Sequence, residues 1–494
     1  MTPPPVFSFD NSYARLPDRL FARVRPTPVR WPRLWKLNDG LARELGLETS
    51  TLSQPEAARL FSGNELPAGA EPLALAYAGH QFGSFVPQLG DGRAILLGEV
   101  VGRDGKRRDI QLKGAGPTPF SRRGDGRAAL GPVLREYVVS EAMAALGVPT
   151  TRALAAVTTG EWVARDKELP GAVITRVAAS HLRVGTFQYF AVRRDTEALA
   201  SLTTYALDRH FPEADRAAGE GLALLDAVIE AQANLVARWL GLGFVHGVMN
   251  TDNTAISGET LDYGPCAFLD EYHPQKKYSS IDHGGRYAFE RQPDIALWNL
   301  GRLAESLSPL VSDDAERALA VAREHLARFQ PRFQELHLAV LRSKLGLARA
   351  EDGDRALAAD LFGLLASSEV DFTLFFRRLC DAAEDERADH RVAALFREPE
   401  SFAGWARAWR ARLHREDERP DARAAAMRRQ NPAFIPRNHR IEEMIHAAIT
   451  KADRGPFEAL LRTLSRPYDD QPGAEHLAEP PRAHERVTQT FCGT

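Results

Sequence analysis

The chain of 494 residues is 44% hydrophobic and 26% charged, with 63 Lys and Arg against 66 Asp and Glu for a net charge of −3. This composition fits a folded protein of two lobes or more, and excludes disorder as the main state and the basic excess usual for general nucleic-acid binding. Three cysteines (Cys266, Cys380, Cys492) make no disulfide framework or CxxC zinc pair, Met1–Asp10 lacks a basic start and apolar run, and no stretch of about 18 apolar residues occurs, so the expectation is a cytoplasmic protein without a membrane span.

In chain order, residues 1–70 mix short apolar pieces with Pro and polar residues and read as an irregular, partly helical extension. Residues 86–113 read as strands. Gly90-Asp91-Gly92 turns the chain before the apolar run Ala94–Gly98, and Arg108–Lys113 alternates polar with apolar up to the breaker Gly114–Pro117. Pro132 opens a helix in which Leu134, Tyr137, Val138, Glu141, Ala142 and Ala145 keep helical spacing, and Gly147 with Pro149 stops it. Ala153–Thr159 and Gly171–Val177 read as two more strands. After Arg183 helices dominate. Gly221–Leu240 is strongly amphipathic, and Ile295–Leu307, Asp314–Phe329, Ala356–Leu365, Val370–Glu384 and Ile441–Ile449 follow. The expected class is α+β, a protein-kinase-like two-lobed fold. Its strand-rich N-lobe spans 71–178, its helical C-lobe and C-terminal extension span 179–494, and residues 1–70 precede them.

Phosphate chemistry on a nucleotide needs cations or backbone N–H groups, oxygen ligands for a metal, and a group that aligns the nucleophile. Candidates exist for each. Gly90 and Gly92, followed by Arg93, would let the backbone approach a phosphate; the plain alternative is a hairpin turn. No GxxxxGK[ST] occurs, which excludes a P-loop enzyme. Lys113 ends a predicted strand and Glu136 lies early in the next helix, the order in which kinase-like enzymes pair a strand lysine with a helix glutamate. Arg176 and Arg183 flank the seam between strands and helices, where guanidinium forks could grip phosphates. Arg122, Arg123 and Asp125-Gly126-Arg127 form a charged loop that either faces the nucleotide or is simply solvated.

His246 and Asn253 keep the seven-residue spacing of the kinase His-Arg-Asp motif and its metal-binding Asn. The position of the catalytic Asp is Val248, which accepts no proton, so Asp252 is the nearest replacement. Leu261-Asp262-Tyr263-Gly264 has the form of the kinase Asp-Phe-Gly motif, and Asp262 with Asn253 would suit Mg²⁺, which takes few protein ligands beside phosphate oxygens. His80 reads as a packed structural histidine, Asp282-His283 lacks a second His, and the absence of GxSxG makes a serine hydrolase a poor reading.

Five strings together resemble the selenoprotein O family: Tyr77–Gly83 (YAGHQFG), Gln88–Arg93 (QLGDGR), Gln111–Gly116 (QLKGAG), His246–Asn253 (HGVMNTDN) and Asn431–His439 (NPAFIPRNH). The resemblance runs from about residue 7 to the C-terminus. It implies a pseudokinase fold that binds ATP in a flipped orientation. Such an enzyme transfers AMP to Ser, Thr or Tyr hydroxyls of proteins and releases pyrophosphate. It further implies that Gly90, Gly92, Arg93, Lys113, Asp125, Gly126, Arg176 and Arg183 contact the nucleotide, that Asn253 and Asp262 hold Mg²⁺ or Mn²⁺, and that Asp252 accepts the proton. Expected partners are ATP and protein substrates, with no nucleic acid and no membrane. Bacterial relatives can pair a C-terminal cysteine with one ahead of the Asp282–Tyr287 string, but Tyr272–Ile281 contains none, so disulfide control through Cys492 is not expected. An ordinary kinase that moves phosphate, and a non-catalytic nucleotide-binding scaffold, are the alternatives. Val248 argues against the first and the intact Asn253–Asp262 pair against the second.

Overall fold

Residues 6–491, which this computed structural model describes, form a sheet-rich N-terminal region and a helical C-terminal region. The strands are β1 (Phe21–Arg23), β2 (Arg33–Leu37), β3 (Leu73–Leu75), β4 (Gly79–Gln81), β5 (Ser84–Val86), β6 (Ala94–Val101), β7 (Arg107–Lys113), β8 (Ala128–Ala129), β9 (Arg152–Ala164), β10 (Glu168–Ala178), β11 (Phe244–Val245) and β12 (Ala267–Phe268). Eight of them make one antiparallel sheet in the order β1-β3-β6-β7-β10-β9-β2, with β8 paired to β10.

Helices cover this sheet on both faces, which is why its central strands are apolar almost throughout. On one face Ile95, Ile110, Leu112 and Val173 pack with Ala57 and Phe61 of the helix Gln54–Ser62. On the other, Leu96, Ala156 and Ile174 join Leu134, Tyr137 and Val138 of the helix Leu130–Ala145.

Two expectations change. The first 70 residues are not merely an extension, because β1 and β2 close the two edges of the sheet. β1 is only three residues long and β2 carries Arg33 and Lys36, so neither shows an apolar run. Nor is Gly90–Gly92 the turn of a hairpin. β5 pairs with β4 in a separate ribbon, and the turn between β6 and β7 lies at residues 102–106, where the Gly102 N–H donates to the Lys106 carbonyl.

Beyond Ala178 the chain is helical. The helix Glu220–Leu242 buries Leu225, Val228, Ile229, Leu235, Val236 and Leu240, the apolar face read from sequence, and ends at Gly243 with φ 72°. The segment expected to be helical over 314–329 divides into Ala315–Leu326 and Phe329–Leu345, since Pro331 sits in the first turn of the second helix, where its missing N–H costs little. Helices at Val184–Val192, Thr196–His210, Glu400–Leu413, Pro420–Arg428 and Gly455–Leu464 add to those anticipated. Among the described residues no helix is long and apolar enough to cross a membrane. Cys266 and Cys380 are buried free thiols; Cys492 lies outside the described residues.

A buried ionic knot ties the two regions together. Arg209, in the helix Thr196–His210, lies 2.6 Å from Asp109 of β7 and 2.9 Å from Glu99 of β6, and donates to the Ala179 carbonyl just after β10. Burial raises the Glu99 carboxyl, whereas for Asp109 Arg209 and His181 outweigh burial and hold it at about 2. Arg209→Met leaves two buried carboxylates without this guanidinium, so unfolding free energy should fall by roughly 3–5 kcal/mol. Urea denaturation at pH 7 measures it, and a loss under about 1 kcal/mol, the range of an exposed pair, would show that water already screens the knot.

Candidate active site

After Gly243 the chain forms β11, pairs it with β12, and between them throws out the loop 246–266 that carries His246, Asp252, Asn253 and Asp262. His246 is buried and its Nε2 lies 3.1 Å from the Leu261 carbonyl, so the two halves of the loop are pinned to each other. Burial lowers its pKa and keeps the ring neutral, as a structural link requires. The Val248 N–H donates to His246 Nδ1, and the Val248 carbonyl accepts from Asn253 Nδ2 at 3.1 Å. With its amide nitrogen engaged, Asn253 is left with Oδ1 as its acceptor.

Lys113, Glu136, Arg176 and Asp262 converge into one cluster. Lys113 Nζ lies 2.7 Å from Glu136 Oε2 and 3.2 Å from Asp262 Oδ2. Arg176 Nε donates to Glu136 Oε1 at 2.8 Å, and its Nη2 lies 4.0 Å from Asp262 Oδ2. Sheet register explains the meeting: Lys113 on β7 faces Ile174 on β10, so Arg176 lies two residues along the same face. Burial alone would raise the Glu136 carboxyl, but Arg176 and Lys113 outweigh it and hold it low. Asp262 is also opposed by burial, yet Lys113, Arg176 and Arg93 hold it far below the usual carboxylate range. Its backbone adopts φ 70°, a left-handed conformation uncommon outside glycine that Asp tolerates better than most residues.

Arg183 belongs to a second group. Its Nη1 donates to the Asp252 carbonyl at 3.1 Å, its Nη2 lies 3.7 Å from Asp91, and its guanidinium stacks 4.2 Å from the Tyr77 ring centroid. It therefore joins the Gly90–Gly92 turn to the loop that holds Asp252. That turn is shaped by the protein's own packing. A Cβ at Gly90 would lie 2.2 Å from the Phe120 ring, and one at Gly92 3.0 Å from the Phe120 carbonyl. The loop around Phe120 is fastened there as Thr118 Oγ1 donates to the Asp91 carbonyl and Ser121 Oγ to that of Gly92. Gly126, with φ 65°, packs against Gly116. Asp125 stands apart from both groups: its carboxylate is exposed and bonded to Arg165.

Asp252 has a different environment from Asp262. It is 8% exposed; Oδ2 accepts from Gln81 Nε2 at 3.2 Å, while Oδ1 has no hydrogen-bond partner among the described residues. Burial pushes its carboxyl up to about 6. Gln81 and Gly79 lie on β4, and the β4–β5 ribbon is docked on the loop: the His80 N–H donates to Thr251 Oγ1 and the Phe82 N–H to Asn250 Oδ1. A Cβ at Gly79 would lie 2.6 Å from Asp252 Oδ1. These two residues were not singled out from the sequence, although the Tyr77–Gly83 string that contains them was. His80 itself is a packed residue, its Nδ1 2.8 Å from Gln188 Nε2 and its ring edge-on to Trp298.

A sequence model of the family described as "Protein adenylyltransferase SelO" matches residues 6–465. Proteins named protein nucleotidyltransferase YdiU are similar over nearly full length. The one from Rhodopseudomonas palustris is 60% identical over 488 residues, covering 99% of each chain. Those from Methylorubrum populi and Rhizobium etli are 61% and 60% identical over 495 and 492 residues, covering 99% and 98% of those proteins. The chain belongs to the SelO family of protein adenylyltransferases.

Proposed function

We propose that this chain moves AMP from ATP to Ser, Thr or Tyr hydroxyls of proteins and releases pyrophosphate, working as a kinase-like fold with the nucleotide flipped. One observation carries the reading. Two aspartates near each other in sequence sit in opposite electrostatic settings, Asp252 raised toward neutrality and Asp262 held ionised. Such a split separates a proton acceptor from a permanently charged anchor.

In this reading the acceptor hydroxyl gives its proton to Asp252 Oδ1, the carboxylate oxygen without a partner among the described residues, while Gln81 holds Oδ2. The hydroxyl oxygen forms a bond to the α-phosphorus as the bond from that phosphorus to the β-bridging oxygen breaks. The electron pair leaves with pyrophosphate. Lys113, Arg176 and Arg183 would meet the charge that develops on it, and would need little reorientation because Glu136 and the Asp252 carbonyl already hold them. Asn253 Oδ1 and the Asp262 carboxylate are the residues that would hold Mg²⁺ or Mn²⁺, an oxygen donor set that suits either ion. Among the described residues no three His, Cys, Asp or Glu group to enclose a metal, so phosphate oxygens and water would complete the shell. When bound, the ion polarises the phosphate oxygens and neutralises part of their charge.

Incubation with α-labelled and γ-labelled ATP side by side tests the reaction class. The α-label should appear on protein and the γ-label in pyrophosphate; γ-label on protein would make the chain a kinase. Asp252→Ala should cut α-label transfer by about 10²–10⁴-fold, the usual contribution of a positioned acid–base group, with nucleotide binding retained.

A base must be deprotonated to act, so kcat/KM should be flat above the Asp252 pKa and fall roughly tenfold per pH unit below about 6. A profile that stays level down to pH 4.5 would remove Asp252 from the role.

Gly79→Ala tests positioning without touching charge. The added methyl must push the Asp252 carboxylate or Leu89 aside, and displacements of this size cost on the order of 10²-fold in turnover. Nucleotide affinity should not change, and an unaltered kcat would show that the ribbon does not set the base.

A further inference from the structure

The β4–β5 ribbon turns at Phe82 and Gly83, whose φ values of 51° and 86° suit a two-residue hairpin. Gln81, the residue before this turn, holds Asp252. The turn itself meets Arg286 and Tyr287. Phe82 packs edge-on against Tyr287, with ring centroids 5.1 Å apart, and a Cβ at Gly83 would lie 3.7 Å from the Arg286 guanidinium. Gln81 to Gly83 spans at most about 7 Å of extended backbone. One short acceptor segment can therefore reach both the base and the guanidinium.

Arg286 belongs to a row of cations and rings. Its guanidinium lies 4.7 Å from the ring centroid of Trp298, and that of Arg302, one turn further along the same helix, lies 4.9 Å from it. The Trp298 ring meets His80 at 5.1 Å, and His80 meets Phe85 of β5 at 4.9 Å. Phe85 is 38% exposed, while Trp298 and both arginines are half-buried. Arg302 is paired with Glu305 at 2.7 Å. Arg286 makes no ion pair among the described residues. Asp282, four residues earlier, accepts from the backbone N–H groups of Arg286 and Tyr287, and among the described residues Glu290 and Asp294 pair with neither arginine. Arginine and large aromatic side chains are the types that carry most binding energy at protein interfaces.

We propose that this surface receives the acceptor protein and selects a segment with Asp or Glu close to the modified hydroxyl, its carboxylate on Arg286 and its apolar parts on Trp298 and Phe85. A guanidinium without a carboxylate of the protein's own takes a planar carboxylate through two parallel N–H bonds. Its contact with Gly83 ties that choice to the ribbon that holds the base. This substrate class rests on the reading of Asp252 as the base of adenylyl transfer.

The test uses the full chain, labelled ATP with Mg²⁺, and synthetic peptides that carry a single Ser and either Glu or Gln, placed stepwise along the peptide. At one position or two adjacent ones, Glu should raise kcat/KM over Gln roughly tenfold, the size of one charge-assisted hydrogen bond. R286Q should bring that ratio close to one. R286E should reverse it in favour of a matched Lys peptide, an exchange that a purely structural arginine would not produce. Should neither variant fold, R286K keeps a cation that carbodiimide can join to the Glu of the peptide, and the adduct should map to position 286. Fluorescence anisotropy of the same peptides without ATP reads the preference independently of the reaction. Equal transfer of the α-label to Glu and Gln peptides at every position overturns the acidic acceptor and leaves the transferase reading standing. Label from the γ-phosphate on the peptides removes the transferase reading, and anisotropy then still decides whether Glu is preferred. A Glu preference that survives in R286Q, or a carbodiimide adduct that maps elsewhere, also overturns the proposal.

Discussion

The geometry of the candidate site depends on one buried interaction, the two-against-two cluster of Lys113 and Arg176 with Glu136 and Asp262. Its members come from β7, β10, the helix Leu130–Ala145 and the loop between β11 and β12, so the cluster fastens sheet, helix and loop at a single point. Charges in such a place lose their hydration and tolerate burial only with partners in good geometry. The four charges sum to zero, which makes the arrangement sustainable. It also makes it sensitive, since taking away any one member leaves an uncompensated charge in a poorly hydrated setting. Ordinary structural ion pairs share that property. What sets this cluster apart is that Asp262 is partly open to solvent while its three partners are buried.

Arg183 forms a second joint, at Asp252. It touches the Asp252 carbonyl, Asp91 and the Tyr77 ring, so the Gly90–Gly92 turn and the loop of Asp252 share one joint. Asp91 itself is raised by burial, and Arg183 is the first cation to offset that. The positive charge of Arg183 bears on the Asp252 carboxylate as well, yet its guanidinium bonds to the main-chain carbonyl and not to the side chain, so burial still dominates. A carboxylate can stay near neutrality beside an arginine only when the fork is occupied elsewhere.

Much of this was legible in the sequence, and the rest was hidden for identifiable reasons. Strand alternation placed β7, Gly171–Val177 was read as the strand that became β10, and strand order with a following helix placed Lys113 against Glu136. Periodicity marked the long helix that delivers His246. The edge strands β1 and β2 escaped notice because short strands carry too few residues for alternation to register. The Gly90 turn was read as a phosphate approach or a hairpin, but its glycine is required by Phe120, a residue thirty positions away that local pattern does not reveal. Gln81 and Gly79 meet Asp252 only through docking of the β4–β5 ribbon, a contact across more than 170 residues. Asp125 was read as facing the nucleotide or simply solvated, and its ion pair with Arg165 is a contact that local pattern does not reveal.

The apolar residue at position 248 follows from the same electrostatics. Val248 is buried and its backbone is used twice, by His246 Nδ1 and by Asn253 Nδ2. A carboxylate there would be a further negative charge on a short loop that already holds Asp252 and Asp262. Like charges at close range raise each other's pKa. Asp252 lies at about 6 through burial, and a further upward push would leave it largely protonated at neutral pH, unable to accept a proton. Asp262 would need more positive charge than Lys113, Arg176 and Arg93 provide to remain as firmly ionised. Valine keeps the loop's backbone bonds and its packing while adding no charge. Valine at that position and the raised carboxyl of Asp252 thus belong to one arrangement, in which the base of the proposed reaction stays ionisable because no second carboxylate stands at position 248.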